Sequence, residues 1–214
     1  MNWENAILWF VVLIISLTVH EASHALFAFL GGDRTAYRGG QMTLNPIPHM
    51  RREPFGMLIL PTLSLLMSNG NSCFGFAHAP IDPFWAARHP RKAALMSAGG
   101  PLANILLAAI AFAVLYGIAR PDGDTARTIA RIASVFLVLN VVLAVLNLLP
   151  MPPLDGAGVV QGLFPKSQRF YDSLLRIPYM SMVPFVLMLF VLPKLYLPVL
   201  RLVASWLPDG LRYL

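Results

Sequence analysis

The sequence is poor in charged residues and almost free of cysteine. Only 12% of its 214 residues are Asp, Glu, Lys or Arg, whereas soluble domains carry about a quarter. With 57% hydrophobic residues, a chain of this length could not bury its apolar surface in a water-soluble core, so we expect lipid to be its solvent. The single cysteine, Cys73, excludes an internal disulfide framework, and the sequence has no C-x-x-C zinc motif.

Acidic residues are also scarce, and the net charge is +6. A positive charge can indicate nucleic-acid binding, but here the basic residues are spread through the loops between apolar runs, as is typical of membrane proteins. We therefore expect a lipid bilayer, and no nucleic acid, as a partner. The N-terminus lacks the basic region and cleavage site of a signal peptide, so the first apolar run predicts a retained transmembrane helix.

Long apolar runs predict the membrane-spanning helices. Three are clear, at residues 5–30, 93–119 and 129–149. Each is long enough to cross a hydrocarbon core of about 30 Å at a rise of about 1.5 Å per residue. Residues 179–207 are apolar but broken by three prolines, which predicts either one kinked span with an interfacial helix or two short spans.

Two segments between the first and second runs predict other structures. Residues 55–69 are apolar but short, with Pro61 in the middle, which favours a re-entrant segment. "TAYRGGQMTLNP" places a Gly-Gly pair between two short stretches, which predicts a β-hairpin around Arg38–Asn45. We therefore expect an all-α polytopic membrane protein with about four to six membrane helices, a small membrane-associated β-hairpin or sheet, and a re-entrant segment.

The distribution of basic residues predicts the orientation. If the N-terminus is outside, the inner loops hold most of the basic residues, as the positive-inside rule requires. These inner residues are Arg34, Arg38, Arg51, Arg52, Arg88, Arg91, Lys92, Lys166, Arg169 and Arg176. The end of the first span, the start of the second and the end of the third then share the cytoplasmic side. We expect residues 1–214 to form one membrane-embedded domain, with a core at 1–165 and C-terminal helices at 166–214.

The first span contains His20, Glu21 and His24 in the pattern H-E-x-x-H. Positions i and i+4 share one helical face, so the two imidazoles can bind one zinc ion while the glutamate acts as general base for a water molecule. Ionisable residues inside a span are costly and are functional candidates by default. A histidine pair satisfied only by neighbouring helices would leave the adjacent carboxylate unexplained.

A catalytic zinc needs a third protein ligand. Asp155 follows an apolar helix directly, in "NLLPMPPLDGAG", whereas the acidic residues other than Glu21 and Asp155 lie in polar loops or near the termini. Pro150, Pro152 and Pro153 stop the helix, and Gly156 permits a tight turn. Taken alone, Asp155 fits a helix N-cap equally well. Beside an intramembrane H-E-x-x-H motif, it becomes the best candidate for the third ligand.

The paired motifs "HEASH" and "NLLPMPPLDG" resemble the two signatures of the site-2 protease family. "GGPLAN" is similar to that family's G-P-x-x-N element, and "MTLNPIPH" and "GFAHAP" resemble loops of its small bacterial members. The resemblance covers about residues 15–165. It implies zinc-dependent cleavage of a peptide bond within the membrane. It also implies His20, His24 and Asp155 as ligands of one Zn²⁺ and Glu21 as the base.

Asparagines within the apolar helices are the remaining polar candidates. Asn147 fills the asparagine position of the Asp155 motif, and Asn104 fills that of G-P-x-x-N. An amide N–H aimed at the reacting carbonyl could stabilise an oxyanion, whereas interhelical hydrogen bonding is the structural alternative. We predict a catalytic role for Asn147. Asn104 is a second catalytic candidate, for which the catalytic and the structural interpretation are equally open. For Asn140 we expect packing.

These observations predict a multi-pass zinc metalloprotease of the bacterial inner or plasma membrane, with its active site toward the cytoplasm. The resemblance implies that its substrates are transmembrane proteins or peptides, cleaved in regulated intramembrane proteolysis or in clearance of signal-peptide remnants. We expect the substrate to unwind, and the edge of the predicted hairpin could hold it extended. No PDZ-like or other soluble domain is expected.

Two alternatives belong to other functional classes. One is a non-catalytic zinc-binding membrane protein, against which the intact Glu21 argues. The other is a metal transporter, which would need polar ligands in both halves of the membrane. The outer halves of the predicted spans are nearly free of such residues.

Overall fold

The computed structural model describes residues 2–118, 122–177 and 192–208, and most of these residues are helical. The helices in chain order are α1 (Trp3–Gly31), α2 (Thr35–Arg38), α3 (Pro46–Arg52), α4 (Leu60–Met67), α5 (Pro83–Arg88), α6 (Pro90–Ile118), α7 (Asp124–Asn147), α8 (Asp155–Leu163), α9 (Gln168–Leu175) and α10 (Leu192–Ser205). Three of them, α1, α6 and α7, are long and apolar enough to cross a membrane. They correspond to the three clear spans that the sequence predicts.

Helix α1 is fixed at both ends by local chemistry. Its first turn is capped by Asn2, whose side chain accepts a hydrogen bond from the backbone N–H of Asn5. Its last turn closes on Gly32 in the left-handed conformation, with a φ of 106° that glycine adopts without strain. The ammonium group of Lys92 donates to the carbonyl of Gly31 at 3.1 Å, which satisfies one of the free carbonyls at the helix end.

Helix α6 packs against α1, α7 and α8 and forms the centre of the bundle. It runs antiparallel to α1, because its first residues contact the end of α1 while Asn104 contacts His20 further back. Helix α7 runs parallel to α1, since Arg131 near its start lies 3.9 Å from Glu4. The end of α1, the start of α6 and the end of α7 therefore lie at the same end of the bundle. All of the candidate catalytic and metal-binding residues belong to that half.

The predicted β-hairpin is wrong, because the described residues contain no strand. Residues 35–38 form α2 instead, and the Gly-Gly pair terminates that helix. The N–H of Gly39 donates to the Thr35 carbonyl and the N–H of Gln41 donates to the Ala36 carbonyl, while Gly40 has a φ of 69°. Asn45 then caps α3 by accepting from the N–H of Ile47. The same glycines that suit a hairpin turn also suit a helix C-terminus.

Two other predicted segments have different outcomes. The apolar stretch Phe55–Met67 is a short helix that begins with a π-helical turn at Phe55–Ile59, just before Pro61. A proline cannot donate a backbone hydrogen bond and crowds the preceding turn, which explains the widening there. The re-entrant path of this segment stays a prediction. Of the predicted apolar segment 179–207, residues 179–191 lie outside the described part of the chain.

Candidate metal centre

His20, Glu21 and His24 lie on the buried face of α1, in the half of the helix nearer its C-terminus. Their relative exposures are only 4%, 2% and 4%, although all three are ionisable. Apolar residues before and after them keep α1 continuous, so the four-residue spacing brings both imidazoles to one face. Their Nε2 atoms lie 3.0 Å apart.

Asp155 reaches this pair from the first residue of α8. Its Oδ2 lies 3.1 Å from Nε2 of His20, and its Oδ1 lies 3.2 Å from Nε2 of His24. The preceding segment Pro150–Leu154 is not helical, and Tyr171 holds its start by donating from its hydroxyl to the carbonyl of Pro150 at 3.1 Å. Thus α1 and α8 supply three side chains that converge on one point.

The hydrogen bonds behind the two imidazoles determine where their protons lie. Nδ1 of His24 is 2.7 Å from the backbone carbonyl of Met96, which can only accept. Nδ1 of His20 is 2.5 Å from Oδ1 of Asn104, which also accepts. Both Nδ1 atoms are therefore protonated, and in the neutral rings both Nε2 atoms present lone pairs toward each other and toward the Asp155 carboxylate.

This arrangement fits a zinc ion. Three electron-pair donors that converge at 3.0–3.2 Å repel one another unless a cation lies between them. Tetrahedral zinc with ligands at about 2.0–2.1 Å places the ligand atoms about 3.3 Å apart, close to the observed separations. Two imidazoles and one carboxylate are also a set of protein ligands found in catalytic zinc sites, where a fourth position is left for water or substrate.

Glu21 lies beside His20, but its carboxylate is not one of the three groups that converge. Its Oε1 is 4.0 Å from Nε2 of His20, and its Oε2 is buried and has no hydrogen-bond partner among the described residues. A buried carboxylate oxygen without a partner is costly, and in an active site it marks a group kept for chemistry. The ligand atoms of His20, Glu21 and His24 all lie within 4.8 Å of one another.

A small cleft of about 80 Å³ opens beside these residues. Glu21, His24 and Asp155 form one side of it, and Met96 and Ser97 of α6 contribute as well. Ala77, His78 and Ala79 also line it; they belong to a segment without helix or strand, and Pro80 disfavours a helical conformation at Ala79. This segment belongs to "GFAHAP", for which the sequence indicated a loop but no role in the site.

His78 is one of the polar residues that line the cleft. Its Nδ1 lies 3.5 Å from Oε2 of Glu53, and its ring packs edge-on against Phe76. His49 lies within α3, where it is buried and its Nε2 lies 3.0 Å from the carbonyl of Thr43; it is not among the residues that line the cleft.

The predicted asparagines separate into two groups. Asn104 is fully buried, contacts His20 through Oδ1, and donates from Nδ2 to Oδ1 of Asn140 at 2.8 Å. Asn147, at the end of α7, donates to the carbonyl of Leu143 in its own helix at 3.0 Å. It is not among the residues that line the cleft. The oxyanion role of Asn147 therefore stays a prediction.

Gly100 is a further residue of the site, which the sequence showed only as part of "GGPLAN". A β-carbon added to it would overlap the Nε2 atoms of both His20 and His24. Any larger residue at this position would occupy the space where the two imidazoles meet.

The comparison with known proteins agrees with this geometry. Residues 8–191 match the sequence model of Peptidase family M50. The "Putative zinc metalloprotease YwhC" of Bacillus subtilis (strain 168) is 35% identical over 165 residues, which cover 74% of this chain and 70% of that protein.

Two mycobacterial proteins, each named "Putative zinc metalloprotease Rip2", also match. The one from Mycolicibacterium smegmatis is 34% identical over 73% of this chain and 57% of its own length. The one from Mycobacterium tuberculosis (strain H37Rv) is 32% identical over 85% of this chain and 66% of its own length. No solved structure matches the chain. The chain therefore belongs to Peptidase family M50, the site-2 proteases, and is a zinc-dependent metalloprotease of the membrane.

Proposed function

We propose that this protein hydrolyses a peptide bond in or near a transmembrane segment of another membrane protein, with His20, His24 and Asp155 as the zinc ligands. The observation that carries the proposal is the convergence of these three side chains in the buried interior of helices long enough to span a bilayer. The bound zinc supplies a Lewis acid that polarises the scissile carbonyl and acidifies a water molecule.

Glu21 acts as the general base and then as the general acid. Its unpartnered Oε2 takes a proton from the attacking water and passes it to the amine that leaves as the peptide bond breaks. Its burial beside three converging ligands keeps bulk water from competing for that oxygen. The imidazoles of His20 and His24 donate through Nδ1 to fixed acceptors and remain oriented throughout.

The substrate lies extended across the small cleft. A volume of about 80 Å³ accommodates one peptide unit and excludes a helix, whose diameter with side chains is about 10–12 Å. The segment must therefore unwind before its carbonyl reaches the zinc. The non-helical segment of Ala77, His78 and Ala79, which lines the cleft, is the surface against which the unwound chain lies, in place of the hairpin edge expected from the sequence.

The proposed orientation, with the site toward the cytoplasm of a bacterial inner or plasma membrane, is supported by charge. Basic residues concentrate in the segments at the end of the bundle that carries the site, as the positive-inside rule would require of the cytoplasmic side. Substrates of two kinds fit this position, membrane-tethered regulators that are released by cleavage and remnants of signal peptides that are cleared.

The test uses purified protein in detergent, zinc analysis, and a generic transmembrane substrate. Glu21→Gln should abolish cleavage while zinc remains bound, because the ligands are intact and only the base is lost. Glu4→Gln is the matched control: it is the same change on the same helix, at an exposed position near the far end, and it should cleave normally. Cleavage by the Glu21→Gln protein, or a wild type without zinc, would contradict the proposal.

A further inference from the structure

We propose that Asn104 and Asn140 form a hydrogen-bonded relay that fixes the tautomer and orientation of His20. The relay starts at the carbonyl of Phe136 in α7 and ends at Nδ1 of His20 in α1. The inference rests on the proposed ligand set, and it makes Asn104 a positioning residue that acts through His20. It replaces the expectation of packing for Asn140 with a defined task.

The first step is the orientation of the Asn140 amide. Its Nδ2 lies 2.9 Å from the carbonyl of Phe136 and 2.9 Å from the hydroxyl of Ser16. A backbone carbonyl can only accept, so the nitrogen must face it; the reversed amide would set two oxygens against each other. The Oδ1 of Asn140 is therefore directed toward Asn104.

The second step transmits this orientation to Asn104. Because Oδ1 of Asn140 accepts, the atom of Asn104 that meets it at 2.8 Å must be Nδ2. The Oδ1 of Asn104 is then left facing Nδ1 of His20 at 2.5 Å. An acceptor at that place holds the proton on Nδ1 and leaves the lone pair of Nε2 for the metal.

Burial makes the relay difficult to reverse. Ser16, Asn104 and Asn140 are all 0% exposed, and they lie between three apolar helices. A flipped amide there would leave donors and acceptors unmatched without water to satisfy them. His24 has an independent restraint, the carbonyl of Met96, so among the two histidines His20 is the one whose orientation depends on side chains.

The same bonds argue against direct contact of Asn104 with substrate. Its oxygen is engaged by His20 and its nitrogen by Asn140, and it does not line the cleft beside Glu21 and Asp155.

The test measures zinc dissociation constants by chelator competition, the visible absorption of the Co²⁺-substituted protein, and thermal unfolding of the apoprotein. Asn104→Leu should weaken zinc binding roughly 10- to 100-fold, as loss of an outer-sphere partner does, and should alter the Co²⁺ spectrum. The matched control is Thr18→Val, which removes a buried hydroxyl of α1 that has no partner among the described residues. This variant should leave the zinc dissociation constant and the Co²⁺ spectrum unchanged.

Two further variants separate positioning from packing. Asn104→Asp keeps an acceptor for Nδ1 of His20 but opposes Oδ1 of Asn140, so the apoprotein should unfold at a lower temperature while zinc affinity stays within a few-fold of wild type. Asn140→Leu should weaken zinc binding by itself and add nothing to Asn104→Leu, because Asn140 acts only through Asn104.

Unchanged zinc affinity in Asn104→Leu, equal losses of affinity in Asn104→Asp and Asn104→Leu, or additive losses in the double variant would each overturn the relay. Failure of the proposed ligand set gives a different result: His20→Ala would bind zinc as tightly as wild type.

Discussion

Gly100 of α6 lies so close to His20 of α1 that a methyl group on its α-carbon would overlap the Nε2 atom of the imidazole. The glycine thereby sets the distance between the two helices at the depth of the metal centre.

We expect Gly100→Ala to displace the imidazoles of His20 and His24. Overpacking of a tight site costs about 1–3 kcal/mol, which corresponds to a loss of zinc affinity of roughly 5- to 150-fold. Chelator competition measures this change. Gly117→Ala is the matched control, since it is the same substitution in the same helix with nothing within 4 Å of the added carbon. Equal zinc affinities in the two variants would contradict the steric account.

Removal of Asp155, the proposed third ligand, should affect metal content before it affects the fold. Asp155→Ala leaves the two imidazoles of α1 in place, so we expect zinc to bind in substoichiometric amounts after gel filtration. Zinc analysis of the purified protein measures the loss. Asp172→Ala changes an exposed aspartate of α9 and should retain a full equivalent. A full equivalent in Asp155→Ala would show that the metal is held by other residues.

Tyr171 should contribute to zinc affinity from a distance. Its buried hydroxyl donates to the carbonyl of Pro150, at the start of the segment that leads to Asp155. Tyr171→Phe removes a bond worth about 1 kcal/mol, and we expect zinc affinity to fall roughly fivefold. Tyr116→Phe, at an exposed position of α6, is the control. If Tyr171→Phe lowers the unfolding temperature but leaves zinc affinity unchanged, the hydroxyl stabilises the position of α9 and does not influence Asp155.

The hydrogen bonds of Asp33 predict that the free energy of unfolding depends on pH. Burial alone would raise the pKa of this carboxyl group, but the hydrogen bonds donated by Thr35 and by the N–H of Asp82 together lower the pKa below its usual value. The folded state therefore binds this proton more weakly than the unfolded state. The resulting stabilisation is fully present above the unfolded pKa of about 3.9 and is lost as the pH falls through the folded pKa.

Asp33→Asn should remove this contribution. We expect its free energy of unfolding to be lower than that of the wild type by about 1–3 kcal/mol near pH 7, with the difference shrinking below about pH 4. Thermal unfolding of the apoproteins in detergent across this range measures it. Asp172→Asn controls for the charge change at an exposed site. A difference between wild type and Asp33→Asn that does not vary with pH would count against the hydrogen-bonded carboxylate.

The parts of the site that were predictable from sequence are those with short-range signals. The shared face of His20 and His24 follows from helical periodicity alone, and the end of the helix before Asp155 follows from its prolines alone. The hairpin prediction was wrong because Gly39 and Gly40 suit a helix end as well as a turn. The contact between Asn104 and Asn140 was not predictable, since it depends on how α6 and α7 are rotated and aligned. The role of Gly100 was not predictable for the same reason, because it depends on how α1 packs against α6.

The distance along the chain between His20 and Asp155 also has a consequence for biosynthesis. The first two proposed ligands are made early, but the third follows only after α6 and α7 have been synthesised and have entered the bilayer. A nascent chain shorter than this holds an incomplete set of ligands and has no hydrolytic centre. With this proposed ligand set, peptidase activity begins only after Asp155 has been made, so the growing chain and its neighbours at the insertion machinery meet no active protease before that point.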